Sequence, residues 1–477
     1  MRGRQMIQAY PKRASVLPGQ RLVLHVSTDR PRFRVHFYRC GLTLEPVLRS
    51  DWLRGEHAPP RVPDQDWQWP SHAFEIPDHW PSAVYIACCE AEGTPTAAPA
   101  PWMPNAAALF VVRGAASGGL LVKLPLATWH AYNHSGGGCF YDNPPRSAYP
   151  PGARLSLQRP GGGTGGAIFC SGDHYDHSSP RQSFAHWDGR FIRWLLRNGY
   201  QPEFCTDFDV HADAGLCGRY RLLVSAGHDE YWSEPARDHV EAFIAAGGNA
   251  AFFGANLCWW RIHYVDDGLA MVCHQGGPDG ARDHWWPRNG VGRPEDALGG
   301  ASYRHGGGWW DGPRRVGGYV VQAADHWVFE GTGLRRGDAF GEHTRPPLVG
   351  YECDGVPLEP GARDDTHSDK PAGMQAGMTA ALPRLSAQAT AFGTPETYEL
   401  LASCVLGDGW QELPAREQHA AGQGIHAACM GIFQRGGTVF SAGTTDWPQV
   451  LDSGQEPRVG RITANVIDRL LADGGGR

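Results

Sequence analysis

Tyr220–Asn256 reads YRLLVSAGHDEYWSEPARDHVEAFIAAGGNAAFFGAN, and its pattern sets the fold expected of most of the chain. Leu222–Ser225 is a short apolar run suited to a buried strand. Ser233 can cap a helix whose apolar face is Val240, Phe243 and Ile244, and Gly247-Gly248 stops it. Asn249–Phe253 is then a second buried strand. The same strand–helix–strand rhythm extends outward in both directions. Upstream, Leu120–Leu124 and Pro202–Cys205 read as strands flanking a helix that starts near Asp188, carries Phe191, Ile192 and Leu195, and closes at Asn198-Gly199. Downstream, Thr438–Ser441 reads as a strand, and Val459, Ile462, Val466 and Leu470 form one stripe of a last helix. Alternation of this kind predicts a largely parallel sheet with helices on both faces.

Toward the N-terminus the period changes. From Ala9 to Arg113 apolar residues alternate with polar ones, as in Leu22, Leu24, Val26 and again in Phe33, Val35, Phe37. Period-two runs punctuated by Pro and Gly predict a β-sandwich. The small-residue stretch Gly114–Gly119 marks a boundary, giving an immunoglobulin-like sandwich over 1–115 and an α/β catalytic domain over 116–477. Within the latter, about 261–430 is rich in Trp, Gly and His and reads as a long loop-rich insertion. Bulk properties narrow the function. The net charge is -7 with no Lys/Arg run, which argues against a nucleic-acid footprint. No apolar stretch approaches the ~20 residues of a membrane span, and MRGRQMIQAYPKR lacks the apolar region of a secretory signal. A cytoplasmic protein is expected. The 12 cysteines form no C-x-x-C pair, so a zinc ribbon is not supported.

In an open parallel sheet, ligands bind beyond the carboxyl ends of the strands. Those ends here carry Trp129, His130, Tyr132 and Asn133; Asp207, Asp209 and His211; Gly227–Trp232; Gly254–Asn256; and Gly443–Trp447. His228-Asp229-Glu230 is the sharpest group. A bend at a strand exit can turn His228 and Glu230 toward one point, which suits metal binding or general acid–base work. The plainer reading, a helix-capping carboxylate with a packed histidine, has about equal weight on the tripeptide alone. Tyr132 and Tyr141 lie in the loop AYNHSGGGCFYD. Loop tyrosines usually just pack, but two phenols with one Glu would suit ferric iron better than zinc. The GGGTGG run at Gly161–Gly166 has no GK[ST] ending and reads as a flexible or lid loop. No G-x-S-x-G elbow is present, and the HYDH run from His174 reads as solvated loop.

Several ordered blocks carry a resemblance: LPLATWHAYNHSGGG, FIRWLLRNGY, CTDFDVHADAGL, the Tyr220–Asn256 segment, WWRIHYVDDG, GRPEDALGG, HWVFEGTGL, VGYECDG and FSAGTTDW. Together they resemble the N,N-dimethylformamidase large (beta) subunit-like family. The resemblance implies a doubly wound, glutamine-amidotransferase/flavodoxin-like α/β fold behind the sandwich. It also implies hydrolysis of a C–N bond in a small amide or formamide. It implies a mononuclear Fe3+ held by Tyr132, Tyr141 and Glu230, with Tyr149 and Tyr175 as rivals for the second tyrosine. His228, Asn256 and Glu352 become the catalytic candidates, with Trp129, Trp232 and Trp447 as an aromatic wall. A small partner subunit and a homo-oligomer are further expectations. The competing readings are a hydrolase of the same scaffold with another substrate, and a non-catalytic carbohydrate- or ligand-binding protein.

Overall fold

In the computed structural model the described residues are 7–94, 106–114, 118–142, 153–275, 282–287, 290–314, 317–361, 382–407, 410–414 and 425–472. At the N-terminus two sheets face each other. One is three-stranded, ordered Ile7–Pro11, Arg21–Thr28, Ser71–Glu75. The other runs Ser15–Val16, Ala107–Val112, Ala83–Ala91, Arg32–Cys40, Leu44–Arg49, with Leu53–Arg54 also pairing Arg32–Cys40. The alternating residues Leu22, Leu24, Val26, Phe33, Val35 and Phe37 fill the space between them, as period two requires. Ala83–Ala91 and Ala107–Val112 are buried almost throughout rather than on alternate residues. Their second face is covered as well: Val84, Ile86, Leu109 and Val111 share a core with Leu120, Val122 and Phe204 of the next sheet.

That next sheet has nine strands, in the order Glu203–Thr206, Gly118–Leu124, Tyr220–His228, Asn249–Ala255, Gly437–Ser441, Ala427–Arg435, Glu399–Val405, Tyr319–Val321, Ala339–Phe340. The first five are parallel. From Gly437–Ser441 onward every pairing is antiparallel, beginning with a tight hairpin at Gly436, whose φ of 83° suits a glycine. The expected doubly wound, largely parallel, glutamine-amidotransferase/flavodoxin-like α/β fold is therefore corrected. The protein is β-rich: the described residues form 26 strands in six sheets against seven α-helices, the longest of 16 residues. The expectation extrapolated a strand–helix rhythm that holds only between Leu120 and Ala255. Beyond it, segments between 319 and 435 return to the same sheet with no α-helix between them among the described residues.

Two smaller pieces complete the frame of the site. A four-stranded sheet, ordered Ala153–Ser156, Ala270–Cys273, Trp260–Val265, Tyr231–Ser233, follows directly from the exit of the Tyr220–His228 strand. A two-stranded antiparallel sheet joins Ser302–Gly308 to Glu352–Gly355. Gly227 and Gly254 lie opposite each other in parallel register at the strand exits. A methyl group on Gly254 would sit 1.9 Å from the Gly227 carbonyl oxygen. Neither backbone can yield cheaply, so Gly254→Ala should destabilise the fold by about 3 kcal/mol, the upper end of ordinary overpacking. Urea unfolding monitored by tryptophan fluorescence measures it; a loss below about 0.5 kcal/mol would show that these strands can part.

Candidate active site

The tripeptide His228-Asp229-Glu230 divides by the alternation of an extended chain. His228 and Glu230 turn to one side, where His228 Nε2 lies 3.5 Å from Glu230 Oε2. Asp229 turns to the other, where Lys123 Nζ meets its Oδ1 at 2.8 Å and Ser225 Oγ donates to its Oδ2 at 2.7 Å. The backbone at the bend is pinned: the amides of Glu230 and Tyr231 both donate to Thr128 Oγ1, at 3.0 and 3.2 Å.

Thr128 belongs to the helix Leu126–Tyr132, which is buried along its whole length. Tyr132 is the last residue of this helix rather than part of the loop that follows. Pro125 gives the helix no side-chain cap, but Asp207 from the next strand exit accepts the Ala127 amide at 2.6 Å. The helix thereby aims the Tyr132 hydroxyl at Glu230 Oε2, 2.9 Å away. Tyr141 donates to the other oxygen, Oε1, at 2.5 Å, and its ring stacks on Tyr132 with centroids 4.4 Å apart. Two phenols thus close on both oxygens of one buried carboxylate. Burial, then the charge of Glu230, raises both phenols well above their ordinary range. Burial is also the leading cause that lifts Glu230 to about 7, with His228 opposing it and Glu352 adding to it.

Glu352 Oε2 lies 2.7 Å from His228 Nε2, and Asn256 Nδ2 donates to that same oxygen at 2.8 Å. On the other side of the ring, Gln182 Oε1 is 2.8 Å from His228 Nδ1. Burial opposes charging of the imidazole, but the carboxylates of Glu352 and Glu230 outweigh it and raise its pKa. Asn256 is held with φ 48° by Asp354, which accepts the amides of Asn256 and Leu257 at 2.8 and 3.2 Å. Its own Oδ1 is buried and unpartnered. That oxygen is a preset acceptor.

All six residues singled out from the sequence, Tyr132, Tyr141, Glu230, His228, Asn256 and Glu352, fall into this one cluster. The rivals do not. Tyr175 accepts the Arg314 amide at 2.6 Å and lies under its guanidinium, and Tyr149 lies outside the described residues. The expected aromatic wall is also different. Trp129 packs against Phe184, Trp232 lies under the Lys123 ammonium, and Trp447 bonds Thr463 in the core. His228 is instead ringed by Tyr132, Trp187 and Tyr351, with centroids 5.7, 5.8 and 6.0 Å away. Sequence reasoning also missed Gln182 and Tyr231. Tyr231 donates to the Tyr141 hydroxyl at 2.7 Å and was legible as the neighbour of Glu230; Gln182, in an irregular segment, gave no signal.

Two stacked phenols, two carboxylates, an imidazole and an amide, all buried but for the partly exposed Tyr141, make on a β-rich frame a centre equipped to move protons and to hold a hard cation. The chain belongs to the family described as N,N-dimethylformamidase beta subunit-like, C-terminal, whose model matches residues 49–460. It is similar to the N,N-dimethylformamidase beta subunit of Alcaligenes sp, 30% identical over 76 residues, which is 16% of this chain and 10% of that protein. The corresponding subunit of Paracoccus aminophilus is 29% identical, also over 76 residues and with the same shares. The matched stretch is thus a tenth of the length of either relative. Among solved structures, beta-galactosidase from Bacillus circulans sp. alkalophilus aligns with a TM-score of 0.29 and 12% identity, covering 60% of this chain and 26% of that one. That likeness is too slight to bear on fold or function. Among the described residues no helix is long and apolar enough to cross a membrane.

Proposed function

We propose that the protein is a metal-dependent hydrolase that cleaves the C–N bond of a small amide or formamide, with a single iron(III) held by Tyr132, Tyr141 and Glu230. The observation that carries this reading is the closure of two buried phenol oxygens on the two oxygens of Glu230. Without a cation the phenols stay protonated and donate to the carboxylate. Deprotonated, the three side chains become an all-oxygen, anionic donor set, which fits a hard, highly charged cation and not a soft one. When bound, such a cation supplies Lewis acidity toward the amide carbonyl and acidifies a water.

The remaining steps belong to the side chains. His228, gripped at Nδ1 by Gln182 and facing Glu352 at Nε2, carries the proton that the departing nitrogen needs. Glu352 takes up or returns that proton across the 2.7 Å contact. Asn256 Oδ1 accepts from a substrate N–H or from water, while its Nδ2 keeps Glu352 in place. Tyr132, Trp187 and Tyr351 keep bulk water from the imidazole and limit the substrate to small groups. The beta-subunit names of the two relatives motivate one addition, a partner subunit.

The test joins a spectrum to an assay. Protein purified without chelators should contain about one iron per chain and show a visible phenolate-to-iron band that Tyr132→Phe weakens and the further change Tyr141→Phe removes. Incubated with a panel of small formamides and amides, it should release the free amine and the acid. Absence of metal, with none taken up on reconstitution, would sink the reading.

A further inference from the structure

On the four-stranded sheet beside the site, a separate set of ligand-type side chains converges. His263 pairs with Val272 in antiparallel register. His274, two residues past Val272, is therefore its diagonal neighbour on the same face, with ring centroids 5.8 Å apart. Asp283 completes the group. Its side chain is fully buried, with Oδ1 2.9 Å from His263 Nε2 and Oδ2 2.8 Å from His274 Nδ1. The ligand atoms of the three residues lie within 4.8 Å of one another.

We propose that His263, His274 and Asp283 form a second metal site, selective for a divalent ion of the zinc class and distinct from the Tyr132–Tyr141–Glu230 set. Two imidazoles and one carboxylate are a common donor set for such ions, and three protein ligands leave a coordination position for water. The His263 side chain is 41% exposed, so that position opens to solvent. Ligands at about 2.0–2.2 Å from a tetrahedral ion stand roughly 3.4 Å apart, so the cluster needs only a small adjustment. The carboxylate has the capacity. Oδ1 also accepts Arg261 Nε at 3.1 Å and Oδ2 the His274 amide at 2.6 Å, so each oxygen has one fixed partner that orients it. The lone pair now spent on an imidazole N–H remains for the ion. The site adjoins the first one through Gln275, next to His274, whose amide lies 2.8 Å from the Tyr231 hydroxyl.

The test uses the full chain, free of any affinity tag, stripped with a chelator and titrated with Zn2+. Calorimetry and elemental analysis after dialysis should find one more zinc bound per chain than in His263→Gln or His274→Gln, with binding at this site weakened at least tenfold in each variant. Tyr132→Phe should leave this zinc untouched, which separates failure of this proposal from failure of the iron reading. Should His274→Gln unfold, as circular dichroism would show, the half-exposed His263→Gln decides alone. Zinc stoichiometry and affinity in His263→Gln equal to those of the parent chain would overturn the proposal.

Discussion

Glu230→Gln should empty the proposed iron site and lower the proposed amide turnover at least about 10³-fold, while leaving the chain as stable as before or more so. The carboxylate receives Tyr132 on one oxygen and Tyr141 on the other. A carboxamide keeps one acceptor and puts an NH₂ group where the second was, so one phenol must accept instead of donate, and the donor set loses its charge. Stability should not suffer, because burial already lifts the Glu230 carboxyl to about 7 and the fold gains nothing from its ionisation. The separation of effects is the point of the experiment. Iron content, turnover and urea unfolding are measured on the same preparation. If the variant keeps its iron and its rate, Glu230 is not a ligand and the proposed mechanism fails. If it loses both but also unfolds, the cluster is primarily a structural one.

How much of this could be read from the sequence varies with the element. The parallel strands were legible because Leu222–Ser225 and Asn249–Phe253 are apolar on both faces, and the helix between them carries a capping serine whose Oγ accepts the Ala236 amide. The antiparallel half was legible only in part. Tyr319–Val321, three residues long, stands out as no more than a short strand candidate, and Ala339–Phe340, two residues long, shows no period; their pairing with Glu399–Val405 and with each other places them in the sheet. In the site, Glu230 and His228 were legible from their place at a strand exit. Asn256 was legible in the same way and Tyr141 as one of two phenols in a loop, whereas Glu352 needed the family resemblance. Gln182 and Tyr351 had neither, and both lie, like Asn256, at positive φ: 59°, 42° and 48°. Side chains rarely adopt this region, and nothing in residue type announces it. Three such residues around one imidazole show that the surrounding structure, not local preference, places them. The tryptophans misled for a related reason. A large ring with one polar edge suits a pocket wall and a core equally, and Trp447 went to the core.

Lys123→Met is expected to have the largest effect on stability of any single change near the site, a loss of about 3–5 kcal/mol. Lys123 points out of its strand into the core, where its ammonium lies 2.8 and 2.7 Å from the two oxygens of Asp229 and 4.3 Å from the Trp232 ring centre. Only Ser225 would then remain to Asp229. Its charge also faces two other buried carboxylates: it opposes the rise of Asp207 to about 6 and that of Asp188, whose oxygens have no hydrogen-bond partner. Methionine matches the length of the stem but strands these acids without a cation. The consequence for function follows from alternation: Asp229 drawn to Lys123 is what turns His228 and Glu230 the other way. Denaturant unfolding of Lys123→Met should show the loss, and adding Asp229→Asn should recover more than half of it, because the second change removes the charge that the first leaves unpaired. A single variant as stable as the parent would mean that water reaches Asp229, and that the backbone bend rests on Thr128 alone.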